Sequence, residues 1–182
     1  MGAVMSEDKK GKRREARERA VQFLFQHEMN PPESLDKTLE EFWQTQRANA
    51  HAEKVEGATW GEKQELPPPT TEEAAVQLFA DPLIRGVLEH CEKIDAEIQK
   101  HAKNWSLQRM AAVDRNVLRL VIYELTRTDT PVSVILDEAI KLARRFGSES
   151  SAGFVNGVLV AIAKQVRAPL ARTRASDAEV RA

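Results

Sequence analysis

Residues 114–125 read DRNVLRLVIYEL, and the fold turns on how this stretch is read. Val117, Leu118, Leu120, Val121, Ile122 and Leu125 leave little polar face at helical spacing, which predicts a central buried helix. Asp114 is placed to cap it, Arg115 and Arg119 lie one turn apart, and Glu124 is within reach of Arg119. Helical patterns continue on both sides. Upstream, Asp81-Pro82 predicts an N-cap and a first-turn proline. They open a long helix with Leu83, Ile84, Val87, Leu88, Cys91, Ile94 and Ile98 on one face. Asn104-Trp105-Ser106 interrupts it, and Ser106 caps a short helix to about Val113. Downstream, Thr130-Pro131 starts a helix through Val134, Ile135, Ile140, Leu142 and Phe146, with Gly147 suited to follow its last turn. A last helix runs from about Glu149 to Val166. Gly157 costs that helix about 1 kcal/mol against Ala, which predicts close helix packing there, with Asn156 serving a buried polar group.

The front of the chain reads the same way. Ala16, Ala20, Phe23, Leu24 and His27 share one side of a helix from roughly Gly11 to Met29, which Asn30-Pro31-Pro32 stops. Ser34 caps a second helix with Leu35, Leu39, Phe42 and Trp43 at core spacing. From Gln44 to Thr71 the chain is polar and holds Gly57, Gly61 and Pro67-Pro68-Pro69, so it reads as a long acidic loop, with Trp60 docking it. No stretch reads as a strand pair, and no internal repeat occurs. The expectation is an all-α single compact domain over residues 11–167, with a disordered basic tail at 1–10 and a flexible tail at 168–182.

Composition narrows the function. The 182 residues hold one cysteine, Cys91, which excludes a disulfide framework and points to a reducing, cytoplasmic compartment. No run of 18 apolar residues predicts a membrane span, and the polar N-terminus does not read as a secretory signal. Net charge is −1, yet the charge is segregated. Met1–Arg19 carries seven basic and four acidic residues; Pro31–Ala75 carries four and ten; Lys164 to the end carries five and two. Basic ends around an acidic middle suggest a localised anionic partner.

Catalytic signatures are missing from the sequence. There is no phosphate-cradling glycine loop, nucleophile elbow or dinucleotide fingerprint. His27, His51, His90 and His101 lack the spacing of a metal set, so neither metal nor cofactor is expected. The first helix is more informative: at 100° per residue, Lys10, Arg13, Arg14 and Arg17 fall on one stripe beside the apolar face. Arginine forks bind phosphate oxygens bidentately and stack on exposed bases, which suits single-stranded RNA. A solvated face paired with Glu18 and other acids is the competing reading.

Three segments, in order, resemble one family: KRREARERAVQFLFQ at the front, NWSLQRMAAVDRNVLRLVIYEL in the middle and VSVILDEAIKLARRFGSESSAGFVNGVL near the end. They are similar to the NusB family of bacterial transcription antitermination factors. The resemblance implies an all-helical protein of two packed helical subdomains and a non-catalytic RNA-binding adaptor. It implies as partners the ribosomal protein NusE, a single-stranded boxA RNA of nascent ribosomal transcripts, and, indirectly, further Nus factors and RNA polymerase. By position it carries RNA contact onto Arg13, Arg14, Arg17, Ser150 and Phe154, and partner contact onto Asp114 and Arg115. Two departures stand out: the acidic 44–71 loop is longer than usual, and Ser150, Ser151, Ala152 and Gly153 are small and neutral where charge is common. Some family members self-associate, so a homodimer covering the arginine stripe is the rival arrangement.

Overall fold

The computed structural model describes residues 2–52, 66–102 and 105–163, with side chains from residue 10 onward. Among these the regular structure is helical and no strand occurs. The order is α1 (Gly2–Met29), α2 (Leu35–Ala52), α3 (Thr71–Glu89), α4 (Cys91–His101), a 3-10 turn at Leu107–Arg109, α5 (Ala112–Arg127), α6 (Val132–Phe146) and α7 over 151–163. The chain divides into two compact units, Met1–Asp81 and Pro82–Ala182. The 168–182 tail and Trp60 lie outside the described residues.

In the first unit, Ala16, Ala20, Val21, Phe23 and Leu24 of α1 are buried with Leu39, Phe42 and Trp43 of α2 and Val76 and Ala80 of α3. Phe23 meets Phe42 edge-on at 5.3 Å between centroids, and Phe42 meets Trp43 the same way at 5.2 Å. Three helix boundaries differ from the sequence expectation. First, α1 starts at Gly2 and not near Gly11, since no proline lies before Asn30 and Ala, Met, Glu and Lys favour helix. Second, α2 runs on to Ala52, so residues 44–52 are helix and not loop; their polar character marks a solvated face.

Third, α3 begins ten residues before Asp81-Pro82. Its cap is a reciprocal pair: the Thr70 N–H donates to Glu73 Oε2 at 2.8 Å, and the Glu73 N–H donates to Thr70 Oγ1 at 3.2 Å. Pro82 therefore sits inside the helix, where it has no N–H for the Leu78 carbonyl; Leu78 is 78% exposed and water can serve that oxygen. Asp81 is not a cap. It accepts a hydrogen bond from Trp43 Nε1 at 2.8 Å and so ties α3 to α2.

The second unit is built around α5. Val117, Leu118, Leu120, Val121, Ile122 and Leu125 are all buried, as the DRNVLRLVIYEL pattern predicts. Ile94 and Ile98 of α4, Ile135 and Leu142 of α6, and Val155, Leu159 and Ile162 on α7 complete the core. Each such side chain, fully buried, contributes about 1.5–3 kcal/mol. The long helix expected after Asp81 breaks at His90, whose Nδ1 lies 3.0 Å from the Gly86 carbonyl. Gly86 lets the Tyr123 ring lie close against it: a Cβ there would fall 2.0 Å from that ring, which would have to move. Arg119 locks α5 to α4 through two 2.7 Å bonds to the Asp95 carboxylate, Nε to Oδ1 and Nη2 to Oδ2.

Further corrections belong to this unit. The short helix ending near Val113 is a 3-10 turn followed by α5. Ala111 is the N-cap of α5, which leaves Asp114 inside the first turn and not at the cap. Gly157 and Asn156 are exposed, and a Cβ on Gly157 would meet nothing within 4 Å, so the expected packing is not there. The structure does not explain this glycine.

Candidate nucleic-acid interface

The arginine stripe of α1 separates by exposure. Arg13 is exposed, Arg14 is half-buried, and Arg17 is only 3% exposed. One ring organises two of them: the Arg13 guanidinium carbon lies 5.4 Å from the Phe79 centroid, and that of Arg17 lies 5.3 Å from it. Arg17 Nη1 also donates to the Arg13 carbonyl at 3.3 Å. Arg17 thus supports the helix surface on which Arg13 is presented. Phe79 escaped the sequence reading, since one aromatic on α3 reads as core until its partners on α1 are known.

The sequence-nominated residues of the second unit occupy the start of α7. Ser150 is exposed and Phe154 half-buried. A serine cluster builds this end of the helix: Ser151 Oγ accepts from the Ser148 N–H at 2.9 Å, and the Ser148 hydroxyl lies 3.1 Å from those of both Ser150 and Ser151. Gly147 allows the approach, because a Cβ there would sit 2.4 Å from Ser151 Oγ and 2.6 Å from the Ala143 carbonyl. Its backbone is extended and not left-handed, so packing, not φ, demands glycine. The Phe154 ring meets Trp105 at 5.9 Å and 69°, and the Arg109 guanidinium carbon lies 5.9 Å from the Trp105 centroid. Sequence reasoning treats Trp105 as a helix interruption only.

Asp114 and Arg115 stand at the start of α5. Asp114 is 7% exposed and its Oδ1 has no hydrogen-bond partner among the described residues. Arg115 Nη1 donates to the carbonyls of Leu107 and, at 3.0 Å, Met110, which pins the 3-10 turn. Among the described residues no three His, Cys, Asp or Glu side chains gather as a metal set, and no helix is long and apolar enough to cross a membrane.

Guanidinium groups held on a ring, and an aromatic pair at a helix start, are the side-chain types that contact phosphate and unpaired bases. The family model described as "NusB family" matches residues 14–164. The chain belongs to the NusB family. The transcription antitermination protein NusB of Anaeromyxobacter dehalogenans (strain 2CP-1) is 42% identical over 152 residues, covering 84% of this chain and 90% of that protein. T. maritima NusB, a solved structure, is 37% identical with a TM-score of 0.63, covering 84% of this chain and 91% of that one. A NusB solved with NusE and double-stranded RNA shares the fold at a TM-score of 0.62 and 24% identity, covering 85% of this chain and 97% of that one. The likeness to solved NusB structures agrees with the all-α fold read from the sequence.

Proposed function

We propose that this NusB-family chain is a cytoplasmic transcription antitermination factor that acts by scaffolding and not by catalysis. It binds single-stranded boxA-type RNA of nascent ribosomal transcripts together with the ribosomal protein NusE, within the Nus assembly on RNA polymerase. The observation that carries the RNA contact is the presentation of Arg13 beside Arg14 on α1, with Phe79 holding the Arg13 guanidinium. Arg13 and Arg14 neutralise phosphates, Arg17 holds their helix surface, and Ser150 and Phe154 add contacts to the strand. The NusE reading is supported by Asp114, a nearly buried carboxylate whose Oδ1 lacks a donor among the described residues and suits one from a partner. Arg115 shapes that surface by fixing the neighbouring turn. Membership of the NusB family, with antitermination proteins among the relatives, supports the reading as a whole.

Fluorescence anisotropy of a labelled boxA RNA, with and without NusE and across a salt series, tests the proposal. Binding should be tighter with NusE and stronger for boxA than for a scrambled strand. The double substitution Arg13→Ala, Arg14→Ala should weaken it and flatten the log–log salt slope by roughly 0.7 for each phosphate no longer neutralised. A double variant with unchanged affinity and slope would remove α1 from the RNA site.

A further inference from the structure

The Trp105 side chain has more surface open than a packing role requires. Trp105 is 47% exposed, whereas tryptophan is normally among the most buried residue types by area. The exposure is not looseness. The Trp105 backbone N–H donates to the Ala102 carbonyl at 2.9 Å. Gln99 then clamps the backbone on both sides: its Nε2 donates to the Trp105 carbonyl at 3.1 Å, and its Oε1 accepts from the Leu107 N–H at 3.2 Å. The ring is held on one side by Phe154 and carries the Arg109 guanidinium at 5.9 Å. Arg109 is exposed and forms no ion pair among the described residues, so its charge is available.

We infer that Trp105 and Arg109 form a base-stacking subsite for single-stranded RNA, in which the indole takes an unpaired base and Arg109 the adjoining phosphate. The inference rests on the RNA reading above and adds two residues to it. A pre-positioned ring with an exposed cation beside it meets the needs of single-strand binding, since every base has a π-face and every nucleotide a phosphate. A protein partner would favour the same residue types, but anchoring tryptophans in protein interfaces sit in apolar, water-excluding surroundings. Here the neighbours Ser106, Gln108 and Gln99 are polar, and both glutamines are exposed. A single nucleotide needs no wider apolar patch.

The experiment uses the full chain with a labelled boxA RNA, in anisotropy and in tryptophan emission. Trp105→Ala should lose about 5- to 150-fold in RNA affinity at an unchanged salt slope, because stacking carries no charge. Trp105→Phe should keep most of the affinity, and Arg109→Ala should flatten the slope by roughly 0.7. Emission gives a readout independent of the alanine variant's folding: RNA should quench the wild type, and the part due to Trp105 should vanish in Trp105→Phe. If the wild type binds RNA while quenching is the same in Trp105→Phe, or Trp105→Ala binds normally, the subsite is overturned and the RNA reading stands. If Trp105→Ala keeps RNA but loses NusE, the surface belongs to the protein partner, which also overturns it. A wild type that binds no RNA with or without NusE defeats the underlying reading first.

Discussion

Three arginines at equivalent helical spacing turn out to be different residues physically. Arg13 reaches solvent, Arg17 is nearly buried, and both guanidinium groups lean on Phe79. Arg17→Ala should therefore lower folding stability by about 1–3 kcal/mol, through lost packing of the stem and an unmade bond to the Arg13 carbonyl. Arg13→Ala should lower it by less than about 1 kcal/mol, the scale of an exposed cation–π contact. Urea unfolding of the two variants separates them; equal midpoints would show that Arg17 is no more structural than Arg13. The stripe itself is legible in the sequence, because a 100° repeat is a local property of α1. Which arginine turns inward is not, because Phe79 lies on another helix more than 60 positions away. Asp114 shows the same limit: its placement near the start of α5 is readable, whereas the burial of its Oδ1 with no donor among the described residues is a fact of tertiary packing.

At the level of helices, apolar periodicity locates α2, α5 and α6 well, and boundaries fail where composition misleads. The Gln44–Ala52 stretch is polar, so it resembles loop, but nothing in it breaks a helix. Asp81-Pro82 resembles a helix start because the same dipeptide suits an N-cap and first turn. The capping pair lies earlier, at Thr70 and Glu73, in a Thr-Thr-Glu-Glu run whose spacing is itself a sequence signal for a helix start. The two placements of Pro82 predict opposite outcomes for Pro82→Ala. At a first helical position proline fits well and restricts the unfolded chain, so alanine would cost up to about 1 kcal/mol. Inside α3, where the structure puts it, proline forfeits the bond to the Leu78 carbonyl at about 3 kcal/mol against alanine. After the unfolded-state term, Pro82→Ala should raise stability by roughly 2 kcal/mol. Thermal unfolding decides it, and a lowered midpoint would contradict the helix interior placement.

For the molecule as a whole, two described titrating groups shifted by folding, His27 in one compact unit and Glu97 in the other, act in separate pH windows. In the first unit, burial beside Phe23 holds His27 below the ordinary histidine value of 6.5, against an opposing pull from Glu28. In the second unit, the hydrogen bond from Lys100 holds Glu97 below 4.5, with burial opposing and His101 helping. Both shifts have the same sign of consequence. A group with a lower folded than unfolded pKa binds its proton more readily when unfolded, so stability rises with pH through that interval. For His27 the folded state is unpenalised above 6.5 and loses stability as the pH falls below it. For Glu97 the loss begins only below 4.5. The His27 contribution to the Met1–Asp81 unit should therefore be lost in milder acid than the Glu97 contribution to the Pro82–Ala182 unit. Both effects are small, because His27 and Glu97 are each partly exposed to solvent. The test is residue-resolved amide exchange from pH 7 to pH 4. His27→Gln should flatten the upper window and leave the lower one, and Glu97→Gln should do the reverse. If His27→Gln leaves the slope just below pH 6.5 unchanged, His27 is not its source.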